Sequence, residues 1–141
     1  MRVTLRCSAL LVFIGLLAAG CSSQVPVAPV EGTLMVKGKP LANIKVDFLP
    51  ETTGPRSSGV TDSNGHFILT CEDGRPGALV GTHRVVVVDL AVWGDQPIPR
   101  GHEDEVLTKP SRLPSGYDDI SKTPWKKSVG DTTNVINLEI R

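Results

Sequence analysis

Gly59-Val60-Thr61-Asp62-Ser63-Asn64-Gly65-His66-Phe67-Ile68-Leu69-Thr70 reads as the end of one strand, a tight turn and a second strand. Asn64-Gly65 takes positive φ at little steric cost, so Asp62 to Gly65 is predicted to be a hairpin turn. Beyond it Phe67 and Leu69 alternate with His66, Ile68 and Thr70, the two-residue period of a strand with one face in a core. The rest of the domain reads as further strands packed against this unit.

Upstream, Val30 to Val36 is a strand with Leu34 and Val36 on one face, and Lys37-Gly38-Lys39-Pro40 a turn. Ile44, Val46 and Phe48 alternate with Lys45 and Asp47, which predicts a half-buried strand with a wet face. Pro50 ends it, and Glu51 to Ser58 is a polar loop. Downstream, Cys71 to Gly81 reads as a loop and Thr82 to Asp89 as a strand. Val85 to Val88 is β-branched throughout, so this strand is expected to be central with both faces covered. Leu90 to Thr123 is a long link carrying Pro97, Pro99, Pro110 and Pro114. Links of that length are uncommon unless they carry function or lack order. Trp125 to Val129 is a short edge strand and Gly130 to Thr133 a turn. In Val135 to Arg141, Ile136, Leu138 and Ile140 face inward and Asn137, Glu139 and Arg141 outward. About seven short strands with turn signals between them predict an all-β antiparallel Greek-key sandwich of two sheets. No apolar i, i+3, i+4, i+7 pattern runs for a helical length, so little helix is expected.

The chain has 141 residues, 14 Gly and 11 Pro, which fits one strand-rich domain behind a targeting segment. Formal net charge is zero. Arg2 and Arg6 fall in the targeting segment, so the remainder carries a slight acidic excess. That argues against a nucleic-acid partner, which demands a basic face.

Met1 to Arg6 is basic, Cys7 to Ala19 is uncharged and mostly apolar, and Leu17-Ala18-Ala19-Gly20-Cys21 follows. This order makes a secretory signal, and the apolar run is shorter than the roughly 20 residues a membrane span needs. Small residues directly before a cysteine resemble the bacterial lipoprotein signal, although Ala18 stands where Leu is commoner. The resemblance implies a signal peptide over 1–20, cleavage before Cys21, and acylation of the Cys21 thiol and new amino group. The partner is then membrane lipid, held stably because each buried CH₂ adds about 0.8 kcal/mol. Ser22 after the cysteine resembles the pattern sent to the outer membrane in two-membrane bacteria. Residues 21–29 form the lipidated N-terminus and a short tether, and 30–141 the domain. With Cys7 removed and Cys21 acylated, Cys71 stands alone, so no disulfide framework is available. The roughly 110 residues left are enough for a hydrophobic core.

Val30-Glu31-Gly32-Thr33-Leu34, then Gly38-Lys39-Pro40-Leu41-Ala42-Asn43-Ile44, then Thr61-Asp62-Ser63-Asn64-Gly65-His66-Phe67 resemble the carboxypeptidase regulatory-like domain, a transthyretin-like (prealbumin-like) β-sandwich. Gly77 to Val85, Leu113-Pro114-Ser115-Gly116-Tyr117 and Asn134 to Ile140 are similar to the lipoprotein versions found in planctomycete-like bacteria. The resemblance covers Val30 to Arg141. It implies a non-catalytic accessory, adhesive or scaffolding module and no particular ligand. Catalytic relatives of the fold are not matched. A hydroxyisourate hydrolase ends Tyr-Arg-Gly-Ser where this chain ends Asn137 to Arg141. An intradiol dioxygenase takes two tyrosines for its iron, and Tyr117 stands alone.

Asp62-Ser63-Asn64-Gly65 matches the start of a calcium loop, but a full loop needs a bidentate Glu about six residues past the glycine, where Cys71 stands. His66, His83 and His102 lack the short spacing of a zinc site, and two of them are expected on exposed strand positions. No metal or cofactor is therefore assigned. Gly101-His102-Glu103-Asp104-Glu105 reads as a solvated loop tip. Cys71 beside Glu72 and Asp73 is a poor nucleophile, because neighbouring carboxylates oppose the thiolate. Trp93, Tyr117 and Trp125 are either packing residues or an exposed ligand-binding surface. The reading is a lipid-anchored, extracytoplasmic binding or scaffolding module of the bacterial envelope, with envelope protein or polysaccharide as its partner. Its alternatives are a carbohydrate-binding accessory module and, with less support, a metal-dependent hydrolase.

Overall fold

The computed structural model of the chain describes residues 25–93 and 110–141. The expected signal peptide, Cys21 and the tether as far as Gln24 lie outside the described residues, as do His102 and the acidic cluster Gly101 to Glu105.

In chain order the strands are β1 (Val27–Ala28), β2 (Val30–Val36), β3 (Lys39–Pro40), β4 (Ile44–Pro50), β5 (Ser57–Val60), β6 (His66–Ile68), β7 (Thr70–Cys71), β8 (Ala78–Leu79), β9 (Gly81–Asp89), β10 (Lys126–Val129), β11 (Asn134–Val135) and β12 (Leu138–Ile140), with one short helix, α1 (Leu90–Trp93), after β9. Several are pieces of one extended run, as β6 and β7 are of 66–71. They build an all-β sandwich. One sheet has the order β10-β9-β4-β5-β7, antiparallel throughout. β4, β5 and β7 follow one another and β9 returns beside β4, the 4-1-2-3 order of a Greek key. The second sheet centres on β2, with β3 and β6 antiparallel to it and β11 and β12 parallel to it. The C-terminal run is thus a parallel neighbour in an otherwise antiparallel fold. Its facing is as expected, with Leu138 and Ile140 buried and Glu139 exposed. Leu34, Ile44, Val46, Phe48, Phe67, Leu69, Val85 and Val87, each no more than 1% exposed, fill the space between the sheets.

The Asp62–Gly65 turn forms as the residues demand, but only Gly65 takes positive φ, at 72°. Asp62 Oδ1 accepts the Asn64 and His66 amides at 2.8 and 2.9 Å, so a side chain holds the turn. The strand beyond it does not pair along β5 as a simple hairpin would. Its first half, β6, pairs with β2 and its second half, β7, with β5. The run changes sheet at Leu69, which makes it a corner of the sandwich. The two-residue alternation survives the crossing: Phe67, Leu69 and Cys71 are buried, Ile68 and Thr70 exposed.

β9 is central as expected, but β10 pairs only its first half, Gly81 to Arg84. Farther along, the Val85 and Val87 amides donate to the carbonyls of Trp125 and Tyr117 at 3.0 and 2.9 Å. The returning leg of the long link therefore seals the edge of β9. The stretch 71–81 is less of a loop than its glycines suggest, because β8 within it pairs with β1. Of the expected tether, Val25 to Pro29 is described, and it is laid on the domain as β1. Two polar residues expected on wet positions are buried. Asp47 is 6% exposed, since it lies mid-sheet between Lys45 and Ser58; Ser58 Oγ donates to Asp47 Oδ1 and Lys45 Nζ lies 3.1 Å from Oδ2. His83 is 1% exposed because its strand position points between the sheets.

Candidate functional site

Of the three aromatics expected to pack or to form a ligand surface, two are in contact. Tyr117 and Trp125 meet edge to face, 4.8 Å between ring centroids, and both are half-buried against the core. An edge-on pair anchored this way gives no flat face of two parallel rings for a sugar to stack on. Trp93 ends α1, and its side chain lies outside the described residues.

The two described histidines belong to different sheets. His66 is on the outer face of the β2 sheet, with Nε2 3.4 Å from Glu31 Oε2. Thr33, directly across the sheet from His66, gives its hydroxyl to Asn137 Oδ1 at 2.9 Å rather than to the imidazole, so no nucleophile–base pair is set up there. His83 is enclosed, tilted against Phe48 at 5.8 Å, with Nδ1 3.1 Å from the Gly81 carbonyl and Nε2 without a partner. Burial lowers its pKa below the usual histidine value. Among the described residues no group of three or more His, Cys, Asp or Glu is placed to hold a metal ion. The Asp62 carboxylate, at the start of the stretch that matches part of a calcium loop, accepts the amides of its own turn. Cys71 is buried at the end of β7. The Arg75 guanidinium, 2.6 Å from Asp73, holds the Asp73 carboxyl down at about 2.

What the sequence reading missed is the pair Asp89–Arg112. Asp89 closes β9 with its side chain 2% exposed, and Arg112 lies on the returning leg of the link. Arg112 grips it with Nε on Oδ2 at 2.9 Å and Nη2 on Oδ1 at 2.6 Å, and adds its own amide at 2.9 Å. The Ala91 amide supplies another donor at 3.1 Å, and Nη2 also reaches the Ala42 carbonyl at 3.0 Å. Burial alone would raise the Asp89 carboxyl, but the guanidinium and the two amides outweigh it and hold the group below the ordinary range. The only available signal was an acidic residue closing an apolar strand; its partner lies far along the chain. Beside the pair is a cavity of about 230 Å³ lined by Val87, Asp89, Val92, Ser111, Leu113 and Pro114. It is smaller than the roughly 300–1,000 Å³ of ordinary ligand sites, and its buried carboxylate is already taken up by Arg112.

Fold and site together define a β-sandwich domain, antiparallel apart from the β11 and β12 run, whose buried Asp89 carboxylate is held by Arg112. Comparison with known proteins agrees at that level. The chain is 48% identical over 48 residues to transthyretin-like protein 33 of Caenorhabditis elegans, a match taking in 30% of this chain and 34% of that protein. The matched part thus spans about a third of the relative's length. No family model and no solved structure matches the chain.

Proposed function

We propose that the protein is a non-catalytic, lipid-anchored module of the bacterial cell envelope, of the lipoprotein kind found in planctomycete-like bacteria, held to membrane through Cys21 and acting by binding or scaffolding. The observation that carries this is the sequence of the first 21 residues, a basic start, an apolar run and Leu17-Ala18-Ala19-Gly20-Cys21, placed directly ahead of a folded β domain. The transthyretin-like name of the partial relative supports a domain of that kind. Among the described residues the unpartnered His83 Nε2 is sealed in the core and the Cys71 thiol is buried, which gives reaction chemistry little to stand on there.

Membrane fractionation of the full chain and its Cys21→Ser variant tests the reading. The parent is expected in the membrane fraction with a mass increased by acyl chains, and the variant in the soluble fraction without them. An unmodified Cys21 in the mature parent removes the proposal. Retention on polysaccharide that vanishes in Trp93→Ala, with Tyr117 and Trp125 intact, would bring back the carbohydrate-binding reading. Stoichiometric zinc or calcium in the purified protein would bring back the hydrolase.

A further inference from the structure

The sandwich has two unlike ends, and the chain enters at one of them. Val25 is pinned there, its carbonyl accepting Arg75 Nη1 at 3.1 Å, and the Pro26 carbonyl accepts the Val80 amide at 2.8 Å. β1 then zips onto β8, with Val27 opposite Leu79 and Ala28 opposite Ala78. Between Cys21 and Val25 stand only Ser22, Ser23 and Gln24. Fully extended, that link spans at most about 14 Å between the Cα atoms of residues 21 and 25. A lipid on Cys21 therefore holds the Val25 corner within reach of the headgroups.

The surface around that corner suits a neutral lipid interface. Val25, Pro26, Pro55 and Pro76 contribute apolar area, and Val25 is 38% exposed. Its charges are of both signs, Arg75 with Asp73 at 2.6 Å, Arg56 with Glu72 at 3.6 Å, Glu51 between Lys126 at 2.8 Å and Arg84 at 3.6 Å, and Asp131 in the turn after β10, so no block of one sign stands there to repel or demand a charged headgroup. The opposite end carries the Lys37–Gly38 turn, the Asp62–Gly65 turn and the Asp89–Arg112 pair. β2 runs seven residues from the first end to that turn and β9 nine residues to Asp89, about 20 and 26 Å at roughly 3.3 Å per residue.

We propose that the sandwich stands on the membrane by the Val25 end, with loops 51–56 and 72–77 at the headgroups, and presents the Asp89–Arg112 end outward. This rests on acylation of Cys21. The docked β1 strand makes the orientation fixed: a free tether would let the domain tumble, whereas one pinned about four residues from the anchor does not.

The test uses the full-length lipoprotein reconstituted in phosphatidylcholine vesicles that carry a headgroup nitroxide. Thr53→Cys and Lys37→Cys, both exposed positions, are labelled with a small fluorophore; Cys71 is buried and does not compete. The label at 53 is expected to lose most of its emission and the label at 37 to keep it. Inserting roughly twelve Gly/Ser residues between Gln24 and Val25, with a mean span of about 19 Å, is expected to erase the difference. Flotation with vesicles but equal quenching at both positions overturns the orientation and leaves the anchor standing. Failure to float, with Cys21 open to the label, overturns the anchor and the orientation with it.

Discussion

Arg112→Ala is the sharpest test of how the long link is fastened. The substitution leaves the Asp89 carboxylate, its side chain 2% exposed, with two backbone amides as donors. Removing one partner of a buried pair costs roughly 3–5 kcal/mol. Arg112 is itself 39% exposed, so solvent screening reduces this, and about 2 kcal/mol at pH 7 is expected. In urea that lowers the midpoint of the chain from Ser23 onward by about 1.5 M, for a slope of roughly 1–1.5 kcal/mol/M. The pH dependence separates electrostatics from lost packing. In the parent the Asp89 pKa is lowered, so its stabilisation is present above the unfolded value near 3.9 and is lost as pH falls through the folded pKa. In the variant the guanidinium's lowering is gone and burial is opposed only by the two amides, so the Asp89 carboxyl takes up its proton more readily than in the parent. The gap between parent and variant must therefore narrow from pH 7 to pH 3. Other titrating groups are common to both proteins and cancel in the difference. A loss under about 0.5 kcal/mol at pH 7, or a gap that stays constant down to pH 3, refutes the reasoning.

Three further outcomes follow from the geometry. His83 is buried with a lowered pKa, so below the unfolded value of about 6.5 the unfolded chain takes up the proton preferentially and stability falls, by at most about 1.4 kcal/mol per pH unit; His83→Leu should flatten chemical-denaturation stability between pH 6.5 and 5. A Cβ on Gly32 would lie 1.9 Å from the Ile136 carbonyl oxygen, and backbone there cannot swing aside. Gly32→Ala should cost about 3 kcal/mol and lower the melting temperature by on the order of 15 °C in calorimetry. Lys37 and Gly38 both have positive φ, 51° and 75°, the demand of a type I′ turn. Lys37→Asn should stabilise by about 0.5 kcal/mol, read as a rise of a few degrees in the melting curve.

Strand alternation made most of the sandwich legible. Phe67 and Leu69, Ile44, Val46 and Phe48, and Leu138 and Ile140 all face the core as their spacing requires. What alternation cannot carry is which strand lies next to which. The switch of sheet at Leu69 leaves the inward residues inward on both sides, so the sequence shows one strand where two sheets are served. The parallel run of β11 and β12 along β2 gives the same in–out pattern as an antiparallel one. Asp47 alternates correctly and is still buried, because exposure of an outer face depends on the side chains of β5 and β9 beside it. β8 was hidden because two residues, Ala78 and Leu79, carry no period at all. At the candidate site the aromatics were legible as a group but not in their arrangement, and the Asp89–Arg112 pair joins residues 23 positions apart, with Arg112 inside the long link.

That link changes how the aromatics are to be weighed. β9 needs partners for the Val85 and Val87 amides beyond the reach of β10, and Trp125 and Tyr117 supply them through their carbonyls. Thr123, 2% exposed, adds its hydroxyl to the Val85 carbonyl at 2.6 Å. The edge-to-face packing of the two rings then holds the segment in place, and Arg112 fixes where it starts. Left open, this stretch of a β-branched strand would be an unpaired edge, the feature that invites pairing with another chain. Residues that look like a binding patch in the sequence thus act first as an edge seal. A loss of ligand retention in Tyr117→Ala or Trp125→Ala therefore speaks to binding only when the melting curve and the monomer peak are unchanged. If either aromatic is removed and the protein associates through β9, the seal is its role.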